Sequence, residues 1–273
     1  SLARTKIALG KFSEAAKLYN EILDSERKFS GPESAKSLDI MFCQGRLLNL
    51  QNKFDEAELL LLRTLQGKRN LLGEDDPSVL ETMEFLADTW RKAGKLFEAE
   101  TLQYEVLAKR KELFGDCCLP VSWSLTRLAF IKVSQKKHIE AEDLWERGIQ
   151  MQRTFVVEPD NDLLKNITNL ACTKYRLGKL TDSEDLLQRV ILCREQNGDG
   201  DDPELLKSLG CLATAKCALL KFDEAVDLQI RAVEMAETLY GYESAEHNAS
   251  FKHLLLIQAE RDEFEVCDGS GSE

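Results

Sequence analysis

Between the loop that ends at Pro77 and the turn at Gly94 the apolar positions Val79, Met83, Leu86, Ala87 and Trp90 recur at three and four residues, the spacing of one helix face, and no alternating strand pattern competes with it. After Gly94 a second helix is predicted, with Ala99 and Leu102 on its apolar side, so Gly73 to Leu113 reads as one helical hairpin. The chain repeats this hairpin every 42 residues. Stepping from Ala99 lands on Ala15, Ala57, Ala141, Ser183, Ala225 and Cys267, all small, and three residues further on stand Leu18, Leu60, Leu102, Leu144, Leu186 and Leu228. Gly45, Ala87, Ala129, Ala171 and Ala213 form a third column, again small. Two helices approach closely only where neither carries a bulky side chain, so the small columns mark contact points and the leucines fill the space between. At 273 residues the chain holds about six and a half units. A period of this kind predicts an all-α solenoid of antiparallel helix pairs, each unit burying its face on the next.

Turn residues punctuate the pattern twice per unit. Inside each hairpin stands a short turn: Gly10-Lys11-Phe12, Asn52-Lys53-Phe54, Gly94-Lys95-Leu96, Lys136-Lys137-His138, Gly178-Lys179-Leu180 and Leu220-Lys221-Phe222. Glycine or asparagine there supplies a helix stop, and the acids that follow, such as Asp55 and Asp223, suit the first turn of the next helix. Between hairpins come Gly31-Pro32, Gly73 to Pro77, Gly115 to Pro120, Glu158-Pro159 and Gly200 to Pro203, which hold all the prolines. Asp76-Pro77 and Asp202-Pro203 read as N-cap followed by the first helical residue. After Gly241 a last helix through Phe251 to Ile257 is expected, with Asp262-Glu263-Phe264 as a seventh turn. The segment 1–268 is expected to be one repeat domain and 269–273 a linker-like tail. Because Leu2-Ala3 align with Leu86-Ala87 in mid-helix, the chain is expected to be part of a larger polypeptide.

The run Met83-x-x-Leu86-Ala87-x-x-Trp90, followed by Ala99, resembles the tetratricopeptide repeat, and the 42-residue unit with a Gly-Asp-Asp-Pro loop is similar to the longer variant found in kinesin light chains. The resemblance covers nearly the whole chain and implies a right-handed superhelix whose first helices line an inner groove. It also implies which positions face that groove. In the second full unit these are Glu81, Glu84, Phe85, Asp88, Arg91 and Lys92, with an acidic lead. Further on they include Trp123, Arg127 and Phe130, then Lys165, Asn169, Cys172, Tyr175 and Arg176, then Lys207, with basic residues and no acid. Arg127, Lys165, Arg176 and Lys207 would pair with carboxylates of an extended peptide, while Trp123, Phe130 and Tyr175 would hold its aromatic or aliphatic anchor. Kinesin light chains carry asparagine at the sixth position of most units to clamp peptide backbone. Only Asn169 keeps it here; Cys43, Phe85, Arg127 and Cys211 fill the other slots. The alternative reading of the strip is a solvated inner face with no ligand.

Composition narrows the function further. A formal net charge of −12 argues against a general grip on nucleic acid. The longest apolar runs, such as Leu59 to Leu62 and Leu254 to Ile257, fall far short of a membrane span, so a soluble, cytoplasmic protein is expected. Eight cysteines without a CxxC or Cys/His cluster predict reduced thiols rather than a disulfide framework or a metal site. Cys117-Cys118, in a loop, are the two that stand outside helices. Lys132, Lys174 and Lys216 occupy the column of Trp90 and are expected to snorkel from the edge of the packed layer with their stems buried. There is no phosphate loop, GxSxG or HExxH motif, and no cofactor, metal or catalytic residue is expected. The function expected is a non-catalytic scaffold or adaptor that binds a protein or peptide carrying acidic and aromatic residues. Its rival is the sensor or autoinhibitory arm of a nucleotide-binding signalling protein.

Overall fold

The computed structural model describes residues 2–8, 10–31, 34–156, 158–198 and 202–269, and among these the chain is helical throughout, without strands. It divides into two compact units, residues 1–136 and 137–273. The first holds α1 (Leu2–Ala8), α2 (Phe12–Ser30), α3 (Ala35–Leu50), α4 (Phe54–Leu72), α5 (Pro77–Lys92), α6 (Leu96–Phe114) and α7 (Leu119–Ser134). The second holds α8 (His138–Phe155), α9 (Asn161–Arg176), α10 (Leu180–Gln196), α11 (Pro203–Ala218), α12 (Phe222–Tyr240) and α13 (Ala245–Gly269). Within each unit every helix packs on the next, and successive first helices also touch, α3 on α5, α5 on α7, α9 on α11 and α11 on α13. This is the stacked-hairpin architecture that the period predicts. No described helix is long and apolar enough to cross a membrane.

The columns account for the packing. Ala15, Ala57, Ala99, Ala141, Ser183 and Ala225 are all fully buried, and Ser183 hydrogen-bonds the Ala171 carbonyl at 2.8 Å. At Gly45 a Cβ would stand 2.8 Å from the Leu61 side chain, so that crossing tolerates no larger residue without a shift. In the first unit Leu61, Val79, Leu80, Met83, Leu86 and Val106 form one continuous cluster; in the second, Leu187, Leu205, Leu209 and Leu212 do the same. Burial of such surface, at about 25 cal/mol per Å², is the main term favouring the fold.

All six hairpin turns share one backbone solution. Gly10, Asn52, Gly94, Lys136, Gly178 and Leu220 have φ of 70°, 59°, 84°, 63°, 77° and 60°. In five of them the next lysine N–H closes back on the carbonyl five residues earlier, as Lys95 on Trp90 at 2.8 Å and Lys221 on Lys216 at 2.9 Å, the Schellman pattern that satisfies the last carbonyls of a helix. Lys136 and Leu220 adopt this left-handed geometry at a steric cost of about 1 kcal/mol each. At Leu220 the packing of α12 on α11 imposes the turn even where the residue resists it. At the other end of the hairpins, Asp76 caps Ser78 N–H at 2.8 Å and Asp202 caps Glu204 N–H at 3.2 Å, with Pro77 and Pro203 next in line. Pro32, Gly200 and Asp201 lie outside the described residues, as do residues 270–273 of the expected tail.

One predicted element is absent. The seventh turn, Asp262-Glu263-Phe264, lies inside the unbroken helix α13. Staying helical, the chain sets the Phe264 ring 5.4 Å from that of Phe222 and brings Arg261 within 3.8 Å of Asp223. It thereby avoids placing Asp262 in the left-handed region.

Candidate functional site

The residues singled out from the sequence fall on the exposed faces of first helices, in both units. In the first unit, Trp123, Arg127 and Phe130 follow one another by four and three residues along α7 and all three are exposed, Trp123 by 45%. Thr126, next to Arg127 in sequence, is buried, and its hydroxyl donates to the Trp123 carbonyl at 2.9 Å. Arg91 of α5 stacks its guanidinium 5.9 Å from the Phe130 ring centroid. The stripe is therefore aromatic, with cations laid against it.

The acidic lead expected on α5 is largely neutralised. Glu84 is buried, with both oxygens held by Arg110 of α6 at 2.6 and 2.9 Å, and Arg127 Nε lies 3.5 Å away. Asp88 is bridged by Arg91 at 2.7 Å and Lys92 at 2.9 Å. These contacts outweigh burial and hold the Asp88 carboxyl below its usual range. Phe85, at a groove position by resemblance, turns toward the core and pairs edge-to-face with Phe42 at 5.4 Å, with Arg46 capping both rings.

In the second unit, Lys165, Asn169, Cys172 and Arg176 line one face of α9, and Lys207 stands on α11. Lys207 Nζ donates to Asn169 Oδ1 at 3.1 Å, and Lys165 lies 3.6 Å from Glu204. Tyr175 is half-buried beside the exposed Arg176. Among the described residues no carboxylate pairs with Arg176 or Lys207, so these two carry the positive charge of the stripe. Between them Cys172 Sγ and Cys211 Sγ are 3.1 Å apart. The thiol hydrogen bond from Cys211 lowers the Cys172 pKa to about 7 against the opposing effect of burial, with Lys207 and Arg176 helping. The same contact and burial push Cys211 up. Among the described residues seven cysteines, including this pair, are free thiols.

The sequence reading missed a second set of charges. Lys132, Lys174 and Lys216 do not snorkel; they are 4%, 9% and 4% exposed, and each puts its ammonium on a buried or nearly buried glutamate of the preceding second helix. Lys132 meets Glu100 at 2.6 Å, Lys174 meets Glu142 at 2.7 Å and Lys216 meets Glu184 at 2.7 Å. In the same slot Trp90 donates its indole N–H to Glu58 at 2.8 Å. The turn lysine supplies a second donor to three of these glutamates: Lys95 to Glu58, Lys179 to Glu142 and Lys221 to Glu184, at 2.6 to 2.9 Å. Hydrogen bonds from Lys216 and Lys221 hold the Glu184 carboxyl below its usual range; at Glu142, burial raises it but Lys174 and Lys179 prevail. The available signal was a glutamate column, Glu58, Glu100, Glu142 and Glu184, at the same 42-residue step and 32 residues before its partner.

Among the described residues no cluster of three or more His, Cys, Asp or Glu is placed to hold a metal. The tetratricopeptide repeat model matches residues 45–78, 79–116, 167–197 and 205–249, more than half of the chain. No curated protein sequence matches significantly. Among solved structures, the chain is similar to the nearly identical TPR-like repeats of a candidate kinesin light chain from Podosopora anserina, at TM-score 0.62 and 21% identity over 74% of this chain and 96% of that one. It is also similar to the quorum sensor NprR from B. thuringiensis in its apo form, at TM-score 0.68 and 16% identity over 94% and 68%. NprR in complex with its cognate peptide NprX gives TM-score 0.63 and 16% identity over 96% and 71%. At these identities the likeness is one of fold.

Proposed function

The chain belongs to the tetratricopeptide repeat family, and we propose that it is a non-catalytic interaction module that binds an extended peptide on the exposed faces of its first helices. The observation that carries this reading is the stripe on α9 and α11, where Arg176 and Lys207 present positive charge with no carboxylate paired to them among the described residues, in a protein of net charge −12. Such a stripe selects acidic side chains, and Asn169, oriented by Lys207, offers a polar contact to peptide backbone. On α7, Trp123 and Phe130 offer exposed ring surface suited to an aromatic or aliphatic anchor, with Arg127 beside them. The likeness to NprR, solved with its cognate peptide, supports peptide binding as the use of such a surface. The α9 and α11 stripe would thus take acidic side chains and the α7 face, taken by itself, an aromatic or aliphatic anchor; the ligand is a protein or peptide carrying such residues, and the role is that of a cytoplasmic scaffold or adaptor.

A peptide array probed with the whole chain tests this. Binders should be enriched in Asp and Glu, which the α9 and α11 stripe selects, and in Trp, Phe or Leu, which the α7 face takes. A variant with Arg127, Lys165, Arg176 and Lys207 changed to Glu should lose them while keeping its helical circular dichroism. An unchanged binding profile in that folded variant would contradict the proposal.

A further inference from the structure

We infer that Cys172 and Cys211 form a peroxide-sensitive dithiol that closes to a reversible disulfide between the first helices α9 and α11. The inference does not depend on peptide binding. Its basis is position. The two sulfurs sit 3.1 Å apart, nearer than two unbonded sulfurs ordinarily rest, and closing to the roughly 2.05 Å of a disulfide takes about 1 Å of side-chain movement. Both residues are half-buried, so a small oxidant reaches them, whereas Cys217 is buried and faces Glu260. Each cysteine has a cation one helical turn away, Arg176 after Cys172 and Lys207 before Cys211. Cations in that place favour the thiolate, which is the reacting form. The lowered Cys172 pKa and raised Cys211 pKa agree with the division of labour that follows.

The chemistry balances with hydrogen peroxide as oxidant. The Cys172 thiolate attacks one peroxide oxygen, the O–O bond breaks, and hydroxide leaves to take up a proton as water, giving Cys172 sulfenic acid. The Cys211 sulfur then attacks the Cys172 sulfur. The S–O bond breaks, the S–S bond forms, and the Cys211 proton leaves with the second water. Two thiols are oxidised by two electrons and one peroxide is reduced to two waters; a dithiol reductant reverses the change by exchange. The pairing arises from stacking. Cys172 and Cys211 are 39 residues apart, three short of the repeat, which places them diagonally on neighbouring first helices, as it does Thr214 and His253.

The test is peptide mapping of the folded chain after a hydrogen peroxide titration, with free thiols alkylated and the digest left unreduced. The expected result is a Cys172–Cys211 cross-linked peptide as the first oxidation product, lost on treatment with dithiothreitol, with Cys43, Cys193 and Cys217 still alkylated. In Cys211→Ser, Cys172 should accumulate as a sulfenic acid trapped by dimedone, several-fold above the wild type. Oxidation that begins at Cys117 or Cys118 while Cys172 stays alkylated would overturn the inference. So would a Cys172 that oxidises without linking to Cys211, or dimedone labelling that is the same in variant and wild type.

Discussion

The slot between α4 and α5 and the slot between α10 and α11 are the same place in the repeat, filled with opposite chemistry. In the first, the Trp90 ring packs against the core cluster and its indole N–H donates to Glu58. In the second, Lys216 takes the ring's place, buried, with its ammonium on Glu184 and Glu224. The glutamate is common to both, and the turn lysine bonds it in both, Lys95 in one and Lys221 in the other. What the repeat keeps is a donor aimed at a carboxylate, and the apolar ring is one of two ways to deliver it. The two slots differ in what remains when the carboxylate goes.

Removing it separates them. Glu184→Ala leaves Lys216 buried with only the more exposed Glu224, and the expected cost is about 3 kcal/mol, at the lower end for a broken buried pair. Glu58→Ala leaves a neutral indole N–H without its acceptor, at about 1 kcal/mol. Chemical denaturation of the two variants side by side checks this; equal losses would erase the distinction. Enlarging a contact point away from either slot, Ala225→Leu, should cost about 1 to 3 kcal/mol by overpacking, read in the same denaturation series.

Acid should find the lysine slots as well. Glu142 and Glu184 are held below the usual carboxylate range, so their contribution is complete above the unfolded value of about 4.3 and is lost as pH falls through the folded values. Lys174 and Lys216 are raised, their glutamate bonds overcoming burial, so their share is complete below about 10.4 and is lost as pH rises through the folded values. The thermal midpoint should therefore be flat between these limits and fall on the acid side, and less steeply in a Glu184→Leu, Lys216→Leu double variant. The smallest effect concerns the turn. Leu220→Gly relieves a left-handed leucine at φ 60° and should stabilise by roughly 0.5 to 1 kcal/mol, visible as a small rise in thermal midpoint.

The fold was legible because its information repeats. Six leucines and a column of small residues at one period report the packing without any knowledge of contacts. The lysine slots were not, since a lysine on an apolar column reads as a snorkelling side chain until its glutamate is found on the preceding helix. Glu84 read as a groove acid because Arg110, 26 residues later on α6, gives no periodic sign that it will enclose it. The seventh turn failed for the converse reason: Leu220 shows that a turn residue is dispensable where the following helix packs back, as α12 does on α11, so the register alone does not place a turn at Asp262. The candidate stripes were readable as spacing, but the partners that quieten Lys165 and Arg127, Glu204 and Glu84, appeared only with the structure.

That last difference supplies the most direct test of the proposed binding surface. Fluorescence polarisation of the tightest acidic peptide from the array would be compared for the wild type, Lys165→Gln, and the double variant Arg176→Gln, Lys207→Gln. The expected result is a loss of about tenfold in affinity for the double variant, equivalent to about 1.4 kcal/mol, and a smaller loss for Lys165→Gln, whose cation already has Glu204 beside it. Equal affinity in all three folded proteins would contradict the assignment of that stripe as the peptide-binding face.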